Sequence, residues 1–341
     1  MSKYNNLHTH TSNSDGKLKV SESIQFCEKH NVGAVAFTDH DSVLQPKDIE
    51  YLKNYNGPVR WVSGVELSVG NVPELEKQIS SLHMVGLFVD PTNTELQDFC
   101  KKAQEARRER MRRIVENLKT IDIHITEEDC LEASGGEAVG RPHIVKAIMK
   151  YPKNIEVIDD LYEQMKEESN NNEKLQQKVE NIEFYGDKQK PFEIFLTKES
   201  YIEGIYVNYL FQPTWDECVS VIHNAGGLSF LAHYFLYINK FPLELLQRLL
   251  EEGRLDGLEV VYGLDAYNNP TSDIAKEFDE QQEELKQIVE RTNTLMTGGS
   301  DVHSREDFEK FINNEYYADK TVGLLDNLLE NSAKKLSWYK S

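Results

Sequence analysis

Seven short apolar runs recur along the chain, at 6–10, 33–39, 60–67, 82–89, 228–233, 258–262 and 295–301, each of a length that suits a buried strand. Between many of them the apolar positions shift to helical spacing. Residues 20–30 form one such stretch, with Ile24 and Cys27 on one side and Ser21 as a candidate cap. Strands alternating with helices predict a parallel β/α architecture. The alternation stops between about 91 and 206. There, residues 96–121 place Leu96, Phe99, Cys100, Ala103, Met111, Ile114, Val115 and Leu118 on one face of a long helix. More helix-like sequence follows, and the polar stretch 163–183 reads as a solvated helix or a mobile connection. The expected organisation is a discontinuous β/α unit, 1–94 and 206–341, carrying a mostly helical insertion, 95–205, that contributes to substrate binding. The tail from Glu306 is again mostly helical, and no internal repeat is evident.

Composition narrows the chemistry. No apolar run approaches the roughly 20 residues that cross a bilayer, and MSKYNNLHTHTSNSDG has no apolar leader. The expectation is a cytoplasmic protein with no membrane partner. Cys27, Cys100, Cys130 and Cys218 are far apart in sequence and form no CxxC pair, so a metal would sit on imidazole and carboxylate. A net charge of -20 argues against a broad surface for long duplex nucleic acid. It leaves room for a small anionic substrate, because bound divalent cations supply positive charge locally.

The ionisable residues gather at the ends of the predicted strands. His8 and His10 end the first, Asp39 and His40 the second, and Glu66 lies near the end of the third. His233 ends GGLSFLAH, and Asp301 and His303 end TLMTGGSDVH. His83 begins its segment and breaks the pattern. In a parallel β/α barrel the C-terminal strand ends share one face, so positions nearly 300 residues apart in sequence converge there. His8 and His10, two apart, point the same way on a strand, and Asp301 and His303 repeat that spacing. Each has a bland reading. A lone histidine such as His83 is ordinarily a core or surface residue. Gly298, Gly299 and Ser300 before Asp301 suit a capped turn as well as close backbone approach. His30, His124 and His223 fall on apparent helices and read as structural.

With these pieces assembled, LHTHTSNSDG, AFTDHD, GVELS, LHMVG, GRPH, GGLSFLAH, GLEVVY and TGGSDVHS appear in an order that resembles the PHP family of polymerase and histidinol phosphatase domains. The arginine-rich helix followed by GRPH resembles the small phosphoesterase branch acting on nucleotide-type substrates. The resemblance covers about 4–150 and 212–304. It implies a distorted (β/α)7 barrel with up to three divalent metals, Mn, Zn or Fe. By resemblance, His8, His10, Glu66 and Asp301 hold one metal and Asp15, His40 and His303 a second. Glu66 bridges to a third, completed by His83 and His233. Asp39 is then expected to orient a ligand imidazole or to cap a helix before Ser42. Where the family has AHP this chain has His233 followed by Tyr234, which removes the proline that fixes the backbone after the ligand.

The resulting expectation is a trinuclear centre that hydrolyses a phosphate monoester of a small metabolite, such as a nucleoside 3′,5′-bisphosphate, through a metal-bridging hydroxide. His303 or His233 would protonate the leaving group. Arg141 and His143 would bind substrate phosphate, with Arg141 supplying a bidentate fork. Of Arg107, Arg108, Arg110, Arg112 and Arg113, most are expected on a solvated face beside Glu, with one or two recognising a second phosphate. Alternatives are an exonuclease on short oligonucleotides, a histidinol-phosphate phosphatase, and a non-catalytic metal-binding module.

Overall fold

Each of the seven apolar runs overlaps a strand, the first of them at Asn6 alone, in a computed structural model, which describes residues 3–77, 79, 82–134 and 139–340. In chain order the elements are β1 (Tyr4–Asn6), α1 (Val20–Lys29), β2 (Val32–Phe37), α2 (Pro46–Asn54), β3 (Arg60–Val69), β4 (Leu82–Leu87), α3 (Thr94–Leu118), α4 (Glu127–Ser134), α5 (Arg141–Met149), α6 (Pro152–Ser169), α7 (Glu173–Tyr185), α8 (Trp215–Asn224), β5 (Leu228–Leu231), α9 (Leu243–Glu251), β6 (Gly257–Val261), α10 (Asp273–Thr292), β7 (Leu295–Gly298), α11 (Arg305–Asn313), α12 (Glu315–Asp319) and α13 (Leu324–Asn331).

The strands lie in sequence order, and the sheet closes on itself. The Leu7 N–H donates to the Gly298 carbonyl at 3.1 Å, the His10 N–H to that of Val302 at 2.8 Å, and Thr9 bridges Val302 in parallel. Closure leaves no unpaired edge. The result is a distorted (β/α)7 barrel. The distortion is β4, which runs antiparallel to both β3 and β5 while the other neighbours pair in parallel. An antiparallel strand presents its N-terminal end where its neighbours end. His83, at the start of β4, therefore sits opposite Ser68 near the end of β3, on the same face of the sheet as Glu66.

Three local expectations change. β1 ends at Asn6, before the histidines, because beyond it only Thr9 forms a bridge. α1 starts at Val20, ahead of Ser21, and its first turn is closed by Glu22, whose carboxylate accepts the Lys19 N–H at 2.8 Å. The polar stretch 163–183 is neither a free connection nor a single helix. It forms the end of α6 and most of α7, and buries Met165, Val179 and Ile182 at helical spacing.

The chain divides into two compact units, Met1–Ala103 with Phe211–Ser341, and Gln104–Leu210. The first is the barrel, whose strands are buried almost throughout. The second is helical, with its own core including Met111, Ile114, Ile148, Met165 and Phe195.

Candidate metal centre

Past β1 the chain stays extended, because Thr9 exchanges bonds with Thr38: the Thr9 N–H donates to Thr38 Oγ1 at 3.0 Å and the Thr38 N–H to the Thr9 carbonyl at 2.9 Å. Alternation then turns His8 and His10 the same way, and their Nε2 atoms approach to 3.3 Å. Two glycines make room. A Cβ on Gly16 would lie 2.4 Å from the His10 carbonyl, and one on Gly299 would lie 2.5 Å from the His8 nitrogen. Gly299 thus serves close approach to the site, while Gly298 makes room for Val261 on the neighbouring strand.

All nine residues expected to hold metal come together at this end of the barrel. Their donor atoms form four overlapping groups, each with its atoms within 4.8 Å of one another: His10, Asp15, His40 and His303; His8, His10 and Asp301; His8, Glu66 and His233; and His40, Glu66 and His83. The resemblance puts His83 with His233. Here both approach Glu66 Oε1, at 3.0 and 2.8 Å, but His83 groups with His40 and His233 with His8. His30, His124 and His223 lie outside these groups. His30 stacks on Phe26 and His223 meets Asp256 at 2.6 Å. His124 sits in a loop, not on a helix, and is exposed.

Glu66 is the hub. Its Oε2 lies 3.5 Å from His8, 3.2 Å from His10 and 2.8 Å from His40, so with His83 and His233 five imidazoles face one buried carboxylate. Yet Glu66 Oε2, Asp301 Oδ1 and the Nδ1 atoms of His10, His40 and His83 are buried with no hydrogen-bond partner among the described residues. Buried polar atoms are normally satisfied. Nitrogen and carboxylate oxygen at contact distance, unaligned as hydrogen bonds, are lone-pair donors aimed at shared points, and this donor set fits divalent cations.

The electrostatics agree. Burial opposes a charged His10, but the Asp301 and Glu66 carboxylates, 3.0 and 3.2 Å from its Nε2, raise it to about 10. Burial likewise opposes charge on His8, and Glu259, Asp301 and Glu66 hold it well above the usual imidazole range. Burial would raise the Glu66 carboxyl, yet His40, His83 and His8 keep it well below its usual range. Asp15 and Asp301 are held low in the same way by surrounding histidines. The carboxylates demand positive charge, met here by protons that a bound metal would displace.

Exposure grades across the cluster. His8, His10 and Glu66 side chains are fully buried, while Asp301 is 22% and His303 33% exposed, so solvent reaches the latter pair. The backbone is strained at this end. His233, Asp301 and Asp41 take left-handed φ values of 34°, 52° and 45°, at about 1–3 kcal/mol each. Asp41 is fixed by Ser68, whose N–H and hydroxyl both donate to its carboxylate at 2.9 Å. With no proline after it, His233 is followed by a single 3₁₀ turn, Tyr234–Leu236, and the Tyr234 hydroxyl donates to the Phe241 carbonyl at 2.8 Å.

Asp39 does neither thing expected of it. No helix starts at Ser42, the next one beginning at Pro46, and no imidazole bonds to Asp39. Its carboxylate accepts the Thr11 N–H at 2.7 Å, the Thr11 hydroxyl at 2.8 Å and the Ser14 hydroxyl at 2.6 Å, so it shapes the loop that presents Asp15. Two residues at this site had no role assigned from sequence. Tyr237 places its hydroxyl 3.1 Å from His233 Nδ1. Glu259 contacts His8 and His233. Its signal is visible in GLEVVY, an acid within an apolar strand.

Comparison with known proteins agrees with this fold. A family model described as the PHP domain matches residues 6–300. The chain is 25% identical over 231 residues to the 5′-3′ exoribonuclease Rnm of Salmonella typhimurium, covering 67% of this chain but 64% of that protein, just under two thirds of its length. It is 23% identical over 305 residues to the 5′-3′ exoribonuclease Rnm of Escherichia coli, covering 87% and 84%. Among solved structures, an amidohydrolase from Chromobacterium violaceum superposes with a TM-score of 0.62 at 20% identity over 89% of each chain. A Bifidobacterium adolescentis protein described as a metal-dependent phosphoesterase does so at 0.60 and 22%, over 93% of this chain and 97% of that one. With a match running from β1 to β7 that takes in seven of the nine clustered residues and ends just before Asp301 and His303, the chain belongs to the PHP domain family.

Proposed function

We propose that the chain is a metal-dependent phosphoesterase that removes nucleotides from the 5′ end of short RNA. The observation that carries the phosphoesterase reading is the set of orphaned buried donors around Glu66. The relatives named 5′-3′ exoribonuclease support the RNA substrate. Divalent metal bound by the nine residues supplies Lewis-acid activation of water and neutralises phosphate charge. Glu66 and the imidazoles fix the donor positions. No protein nucleophile is needed, and the nearby hydroxyls of Thr11 and Ser14 are committed to Asp39. For protonating the leaving oxygen, His303 is the better candidate. Both rings are engaged at both nitrogens, His233 by Glu66 and Tyr237 and His303 by the Asp301 carbonyl at 2.8 Å and Asp15 at 3.4 Å, but His233 is nearly buried whereas a third of His303 is open.

Within the helical unit, Arg107 lies over the Tyr209 ring and Arg110 over that of Tyr206, with the Arg110 Nε donating to the Val207 carbonyl at 2.7 Å. Burial, with Arg141 and Arg107 nearby, pushes Arg110 down to about 10. No carboxylate contacts Arg110 among the described residues, while Arg112 and Arg113 pair with Glu127 and Glu109. Cations gathered against their own repulsion suit an anion. Arg141, with Arg107 and Arg110, is proposed to hold a phosphate of the substrate. His143 Nδ1 accepts the Gly140 N–H at 2.9 Å, which sets its ring at the start of α5, the position proposed for a second phosphate contact.

The second reading is the nucleoside 3′,5′-bisphosphate. The first nucleotide of a 5′-phosphorylated RNA is itself a 3′,5′-bisphosphate whose 3′-phosphate is further esterified, so both reactions break the same P–O3′ bond. A panel of a 5′-phosphorylated RNA pentamer, a 3′,5′-bisphosphate and histidinol phosphate, each with Mn, separates the readings. Stepwise release of 5′-mononucleotides from the pentamer is expected. Hydrolysis of the bisphosphate alone would transfer the assignment to the monoester, and no hydrolysis of any phosphoester would reject both.

A further inference from the structure

Glu259 lies on β6 with 1% of its surface exposed and belongs to none of the donor groups. Its two oxygens are nonetheless spent on two residues that do. Oε1 is 2.8 Å from His8 Nδ1, and Oε2 accepts the His233 backbone N–H at 2.8 Å. We propose that Glu259 is a positioning residue that couples two donor groups, by setting the tautomer and direction of the His8 ring and the backbone that carries His233. The proposal rests on the metal-centre reading above.

The argument starts from the ring. An imidazole offers a metal one nitrogen only if the proton sits on the other. With Nδ1–H donated to Glu259, the His8 lone pair is on Nε2, and Nε2 faces Glu66 Oε2 and Asp301 Oδ1, both at 3.5 Å. The same carboxylate holds the His233 amide where the backbone takes its left-handed φ of 34° and no proline enforces it. From that backbone His233 Nε2 reaches Glu66 Oε1 at 2.8 Å. His8 belongs to the group with His10 and Asp301 and to the group with Glu66 and His233. One carboxylate therefore governs donors in both.

A neutral amide of the same shape cannot do this. In Glu259→Gln, one oxygen can accept from either His8 or His233, and the NH₂ must face the other. Facing His8, it calls for a lone pair on Nδ1 and moves the proton to Nε2, the nitrogen meant for metal. Facing the His233 N–H, it sets donor against donor and moves the loop.

The test is zinc binding to the full-length wild type, Glu259→Gln and Glu259→Asp, measured by calorimetry from the metal-free state, with circular dichroism to show that each is folded. Expected is a 10–100-fold loss of zinc affinity in Glu259→Gln. A smaller loss is expected in Glu259→Asp, which keeps the charge and both acceptors. NMR of the zinc-loaded wild type should show a slowly exchanging His8 Nδ1–H that is absent from Glu259→Gln. Zinc affinity unchanged in a folded Glu259→Gln would overturn the proposal and leave the metal centre intact. Should Glu259→Gln fail to fold, Glu259→Asp carries the same affinity comparison, and failure of both to fold would assign the carboxylate to packing and overturn it. No zinc binding by the wild type would instead reject the metal-centre reading itself.

Discussion

Removing divalent metal from the purified protein is expected to abolish release of nucleotide from a 5′-phosphorylated RNA, and adding back Mn to restore it. In His10→Ala, restoration fails, with turnover down by on the order of 10³-fold, about 4 kcal/mol of barrier. His10 is chosen because it belongs to two donor groups, one with Asp15, His40 and His303 and one with His8 and Asp301. Alanine there removes a donor from both. Far less is expected from a substitution at His223, whose imidazole meets Asp256 and belongs to no group. Turnover measured against Mn concentration separates the cases. A His10→Ala protein that regains full rate at high Mn would mean that His10 contributes affinity alone. Undiminished rate without metal would mean that the site works by other chemistry.

The second large effect is expected at Glu66. Glu66→Gln keeps the shape and removes the one carboxylate that five imidazoles face. An amide presents two N–H donors toward nitrogens whose lone pairs are needed for metal. The variant should bind fewer metal ions than the wild type, because Glu66 belongs to two of the four groups, and turnover should fall as far as in His10→Ala. The metal-free protein should also lose stability, by about 3–5 kcal/mol, since taking one partner from a buried charged cluster leaves the other uncompensated. The charge left behind is that of His8 and His10, which Glu66 helps keep protonated. Urea unfolding and metal content measured on the same preparation check both parts. Unchanged metal number with unchanged stability would remove Glu66 from the centre of the account.

Much of the barrel was legible in sequence because its strands are short apolar runs bounded by polar loops, a pattern that survives without neighbours. Its one irregularity was legible only as an anomaly. His83 at the wrong end of its segment is what an antiparallel β4 looks like in one dimension, but strand direction belongs to pairing, and apolar spacing carries no sign of it. The nine candidate donors that gather here were picked out by strand-end position and ordered motifs, with Asp15 added by the family resemblance alone. Asp39 drew two readings, orienting a ligand imidazole by resemblance or capping a helix from its place before Ser42, and neither holds. Its real partners, Thr11 and Ser14, lie 25 or more positions away in sequence. Glu259 went unassigned for a related reason. Its role depends on His8, 251 residues earlier, and on a backbone N–H that every residue but proline possesses. The polar 163–183 stretch shows the opposite error. High polarity hid the few apolar positions, Met165, Val179 and Ile182, that tie it to a core.

The claim on which the rest depends is that the donors around Glu66 hold divalent metal. Crystals of the full chain grown with Mn, measured at the Mn absorption edge, test it directly. The account predicts anomalous peaks, up to three, each contacted by members of the set His8, His10, Asp15, His40, Glu66, His83, His233, Asp301 and His303. A map with no peak among these residues, at a Mn concentration that supports turnover, would contradict it.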